Sequence, residues 1–74
     1  MKLIVDTTAD ALYLTLDETA VTESVELAPG MIADYDARGL IVGLELLHLS
    51  RRSPGINVHQ LLFETQGPHV PAKS

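Results

Sequence analysis

The sequence predicts a mainly β fold (α+β): a small antiparallel β-meander of about five strands with one short C-terminal helix. Three observations predict it. Apolar residues alternate with period two through most of the first fifty positions, the signature of half-buried strands. Turn formers interrupt that alternation at short intervals. The spacing becomes helical only once, near the end of the chain.

Leu3 and Val5 begin the first strand, and the turn formers of Asp6–Asp10 (DTTAD) break it. Leu12, Leu14 and Leu16 alternate with Ala11, Tyr13 and Thr15 in the second. Asp17 to Ala20 is a polar connection. Val21, Glu23, Val25 and Leu27 alternate with Thr22, Ser24 and Glu26 in the third. Pro29–Gly30 is a turn signal, because Pro fixes φ and Gly accepts a positive φ. Met31 to Asp36 is the fourth strand, and Asp36–Gly39 (DARG) is the next turn. Leu40 to Leu49 is a nearly continuous apolar run; Ile41–Val42 and the turn before it favour a strand over a helix. Arg51 to Gly55 ends the sheet. Val58, Leu61, Leu62 and Thr65 then follow the i, i+3, i+4, i+7 pattern. Asn57 and Gln60 offer a variant capping box, and Gly67–Pro68 is a helix stop. A helix of about two turns needs something to dock on.

The chain has 74 residues, room for one small domain. At this size folding removes only about 60–65% of the unfolded chain's surface from water, so a lone core is marginal. With no cysteine, neither a disulfide nor a thiolate metal site can add stability, and a reducing compartment fits. The formal charge is −5, and the one basic cluster is Arg51–Arg52. That speaks against nucleic-acid binding, which needs clustered Lys and Arg, and favours a basic partner over an acidic one. No apolar run approaches the ~18–20 residues of a membrane span, and Leu3–Val5 is too short for a signal core. The expectation is a soluble cytoplasmic domain over residues 1–66, with 67–74 a flexible tail.

The turn Asp36–Gly39, with a three-residue hairpin loop between the paired Asp36 and Leu40, sets an expected register of Tyr35 with Ile41, Asp34 with Val42 and Ala33 with Gly43. One face would carry Ile32, Asp34, Asp36, Leu40, Val42, Leu44 and Leu46. The other would carry Met31, Ala33, Tyr35, Ile41, Gly43, Glu45, Leu47 and Leu49. Both are substantially apolar, and one short helix cannot cover a five-stranded sheet. The simplest completion is a homodimer, or a complex with another protein. Ala33 opposite Gly43 would leave a low spot for close approach.

Five features are candidates for chemistry. Asp34, Asp36, Gly39 and Glu45 match positions one, three, six and twelve of a calcium loop. Arg38 stands where a ligand belongs and the flanks are strand-like, so a turn is the better reading. Asp34 and Asp36 share a face and form a carboxylate pair, with Glu45 pointing to the other face, but nothing indicates the cleft that acid–base chemistry requires. His48, His59 and His69 match no metal spacing. Tyr13 lies in a polar row, where its ring can pack on a neighbour and its hydroxyl stay wet. Leu61, Leu62 and Phe63 give the helix a broad apolar surface, for docking on the sheet or on a partner. No catalytic residue, metal, cofactor or small molecule is expected. The candidate interaction or ligand surface is Tyr13, Asp34, Asp36, Leu61, Leu62 and Phe63.

Residues 5 to 50 resemble the small bacterial family called domain of unknown function 2283. The likeness is carried by Asp6, Ala9, Asp10, Ala11, Leu12 and Tyr13; by Pro29 and Gly30; and by Asp34, Asp36, Gly39, Val42, Gly43 and Glu45. The segment after Arg52 lies outside it. The resemblance brings no catalytic residues. It implies, by association with small toxin-like domains, an antitoxin-like partner of a basic protein. The functional expectation is thus a non-enzymatic interaction module. Its alternatives are a ligand-binding protein or enzyme using Asp34 and Asp36, and a purely structural homo-oligomer.

Overall fold

The computed structural model describes residues 1–68. It is one five-stranded antiparallel sheet and one short helix. The strands are β1 (Lys2–Asp6), β2 (Ala11–Thr15), β3 (Glu23–Ala28), β4 (Met31–Tyr35) and β5 (Ile41–Leu46), followed by α1 (Leu49–Arg52). The fold class is the expected one. The expected tail falls mostly on residues 69–74, outside the described residues.

The strand order is β1-β2-β5-β4-β3, which departs from a strict meander at one connection. β2 pairs with β5, so the chain after β2 passes to the far edge before returning through β4. It is held along the sheet end: the Leu16 and Asp17 N–H groups donate to the Val42 carbonyl (2.8 and 3.2 Å), and the Thr22 N–H donates to the Tyr35 carbonyl (2.8 Å).

Carboxylates make several of the turns. Asp6 accepts hydrogen bonds from the N–H groups of Thr8 and Ala9 at 3.0 and 2.9 Å, and Asp17 accepts from the Thr19 backbone N–H and the Thr19 hydroxyl. Asp36 accepts the N–H of Arg38 at 2.9 Å and of Leu40 at 3.0 Å, while Gly39 takes the left-handed conformation (φ +82°) that closes the hairpin.

The register of the β4–β5 hairpin begins as expected, with Tyr35 opposite Ile41. It then shifts by one, because a β-bulge makes Val42 an extra residue on β5. Asp34 therefore lies opposite Gly43, Ala33 opposite Leu44, Ile32 opposite Glu45 and Met31 opposite Leu46. This corrects the expected pairs of Asp34 with Val42 and Ala33 with Gly43. Side chains alternate between faces, so a one-residue shift changes the face of every later residue on that strand relative to its partner.

The shift sorts the sheet. Across all five strands one face carries the rows Leu3–Leu14–Leu44–Ala33–Val25 and Val5–Leu12–Leu46–Met31–Ala28, apolar throughout. The other carries Lys2–Thr15–Gly43–Asp34–Ser24 and Ile4–Tyr13–Glu45–Ile32–Glu26, mostly polar. The expectation of two mixed faces is corrected.

The helix is also elsewhere than expected. Residues 58–65 form no helix; the four-residue α1 is at Leu49–Arg52. Asn57 turns its side chain onto the His59 N–H (3.0 Å) and onto Gln60 (3.1 Å), making a local turn instead of a cap. Two turns of helix with Val58, His59 and Thr65 inside have too little propensity to form without firm docking. Residues 56–68 instead run as an irregular arm.

Candidate functional site

The polar face is built around Asp34. It is 9% exposed, and its carboxylate accepts a 2.7 Å hydrogen bond from the Ser24 hydroxyl on β3. Gly43 opposite makes room for it. A Cβ there would lie 3.1 Å from Asp34 Oδ2 and 3.3 Å from the Leu14 carbonyl oxygen. The low spot at Gly43 is thus filled from within by Asp34, not held open for a ligand.

Glu45 joins Asp34 on this face, contrary to the expectation that it points to the other. Its carboxyl is held above the ordinary carboxylate range, first by the hydrogen bond it gives Asp34, then by burial, then by the negative charge of Asp34. The half-buried Tyr13 is the cross-strand neighbour of Glu45.

Asp36 does not join them as a ligand pair. Its carboxylate takes two N–H bonds from the turn and a fork from the Arg38 guanidinium, Nε at 3.0 Å and Nη2 at 2.7 Å. That fork, then the Leu40 N–H, holds its carboxyl below the usual range. Arg38 thus occupies the would-be calcium loop with its own cation. Among the described residues no group of three or more His, Asp or Glu is placed to hold a metal ion. Asp34 and Asp36, expected as one pair, serve separate structures.

A polar cluster not foreseen in the sequence ties α1 to the first hairpin. The Asp10 carboxylate accepts the Ser50 N–H at 3.0 Å and the Ser50 hydroxyl at 2.7 Å, while its carbonyl accepts the Leu49 N–H at 2.9 Å. Those Ser50 bonds hold its carboxyl below the usual range. Asp10 and His48 both take positive φ (55° and 57°), a conformation that Asp and His reach more readily than most residues. Arg52 donates to the carbonyls of Leu47 and Pro29 and lies against Gly30, locking α1 across the β3–β4 turn.

The apolar face is the larger feature. None of its big side chains is fully buried: Leu44 is 38% exposed, and Met31, Val25 and Leu27 are also open to solvent. Leu12, Leu14, Leu27, Met31, Leu44 and Leu46 line a shallow groove of about 220 Å³ on it. Over the β1–β2 half, the arm residues Leu61, Leu62 and Phe63 stand across a wide gap of about 790 Å³ from Met1, Leu3 and Leu14. The arm residues expected to pack from a helix are therefore loosely placed, 71%, 81% and 58% exposed.

These features define a small single-layer antiparallel sheet with one apolar and one polar face. The chain belongs to the family described as protein of unknown function (DUF2283), whose model matches residues 2–50. The match spans the whole sheet and ends at the residue Asp10 holds, so the arm lies beyond it. No curated protein and no solved structure matches the chain. No helix among the described residues is long and apolar enough to cross a membrane.

Proposed function

We propose that this chain is a non-enzymatic interaction module of the cytoplasm whose first partner is a second copy of itself, packed apolar face to apolar face. The observation that carries this is the pair of wholly apolar cross-strand rows left without a second layer. A stable sheet domain buries such a face against another layer of structure. The four-residue α1 buries Leu49 but cannot serve as that layer.

Surface area agrees. A folded monomer of 8.0 kDa exposes about 4,500 Å² by the usual size scaling. This chain exposes 5842 Å². The excess, roughly 1,000 Å² or more, is shared between the open apolar face and the exposed arm, and is comparable to the ~800 Å² each partner gives up in a standard interface.

The reading gives the carboxylates of the polar face a structural role. Its buried carboxylate is already partnered by Ser24 and Glu45, and no buried side-chain donor or acceptor among the described residues lacks a partner. Charge adds a preference for a basic over an acidic further partner: the formal charge is −5, and among the described residues only Asp36 is held in an ion pair.

Two substitutions on opposite faces test the reading by sedimentation velocity. Leu44→Glu, in the middle of the apolar face, is expected to weaken self-association at least a hundredfold. Ile4→Glu, somewhat more exposed (45% against 38%) but on the polar face, is expected to leave it unchanged. Equal behaviour of the two variants would remove the apolar face from the interface.

A further inference from the structure

The arm beyond α1 carries an inference that rests on this self-association. It is unusually apolar for an irregular segment: Leu61, Leu62 and Phe63 follow one another and each is more than half exposed. Up to Ser53 the chain is pinned to the sheet through Leu49, Ser50 and Arg52. From Ile56 onward, among the described residues, its hydrogen bonds are local, Ile56 to Ser53, His59 to Asn57 and Gln60 to Asn57, and none reaches a strand. The arm is thus aimed over the apolar face, without being fastened to it.

We propose that the arm is a clasp at the interface between two copies, with Leu61, Leu62 and Phe63 filling the open groove of the second copy's sheet. Each copy has two uncovered apolar features: the outer side of its arm, over the β1–β2 half, and the groove at Leu27, Met31 and Leu44, over the β3–β5 half. In the proposed dimer a two-fold axis sets each arm against the other copy's groove. Both contacts are then made by the same residues, as an isologous interface requires. The groove is lined mainly by apolar side chains, and its one acidic lining residue, Glu45, turns its carboxyl to Asp34 on the polar face, so Leu and Phe side chains meet apolar surface there. The exposed arm and the wide gap beneath it have one cause: each is half of a surface completed by the second copy.

The absence of cysteine makes a clean test possible. One preparation carries Leu62→Cys and another Met31→Cys, and the two are mixed under mild oxidation. The clasp predicts a disulfide-linked dimer of the two different chains, in excess over same-chain dimers. Separately, Leu62→Glu with Phe63→Glu is expected to raise the dimer dissociation constant tenfold or more, with an unchanged far-ultraviolet dichroism spectrum. A mixed sample without the cross-link, or an unaltered dissociation constant in a folded double variant, overturns the clasp and leaves face-to-face pairing of the sheets standing. A wild-type chain that stays monomeric overturns both. The two failures are therefore distinguishable.

Discussion

Glu45 is the residue whose surroundings make the clearest demand. Asp34 lies beside it on the same face, so its carboxyl is stabilised in the protonated form. The folded-state pKa of Glu45 lies above its unfolded value, so the native state holds this proton more tightly. The resulting stability is fully present below the unfolded pKa and is lost as pH rises through the raised folded value. Glu45→Gln keeps a donor toward Asp34 without the charge. It is expected to have a higher urea midpoint than wild type at pH 7, and a difference that shrinks toward pH 3.5. A pH-independent difference would show that the two carboxyls do not interact. Asp10, Asp17 and Asp36 pull the whole-protein profile the other way, since their lowered values stabilise the fold above pH 4. The comparison of the two proteins isolates Glu45 from them.

Among the elements, α1 is held by tertiary contacts more than by its own four residues, which are far too few to be helical alone. Asp10 supplies those contacts from forty residues away in sequence. Asp10→Ala is expected to release α1 from the first hairpin while the strands remain paired. Amide exchange at Leu49 and Ser50 would then speed up at least tenfold, with exchange in β2 and β5 unchanged. Undiminished protection at Ser50 would mean that Arg52 alone secures the helix. The elements also show what could be read from sequence. The strands were legible because alternation reports a half-buried sheet directly, and Gly39 fixed the start of the hairpin register. The bulge was not, because Ile41 to Leu44 is apolar apart from one glycine and looks alike in either register. One signal was present: without the bulge, Asp34 and Asp36 share a face with Leu44 and Leu46, whereas a one-residue shift separates acids from leucines. The pairing of β2 with β5 depends on non-local contacts that no local pattern encodes. The arm misled because its 3.6 spacing is real, yet a repeat of two turns does not make a helix without a firm docking surface.

At the scale of the whole molecule, one face of the sheet is apolar throughout its central rows and the other mostly polar, and only the polar side is finished. Its carboxylates, serine and glycine satisfy one another within a single chain. The apolar side has exposed leucines, an open groove and an unfastened arm, and the proposed second copy would account for all three together. The family match covers the sheet and stops before the arm. The candidate surface foreseen in the sequence divides accordingly: Tyr13, Asp34 and Asp36 belong to the finished side and the hairpin turn, and Leu61, Leu62 and Phe63 to the unfinished one. The most direct measurement is the native mass by light scattering across a dilution series. The face-to-face assembly predicts about 16 kDa, twice the 8.0 kDa chain, held down to low micromolar concentration. A mass of 8.0 kDa persisting at hundreds of micromolar would contradict it.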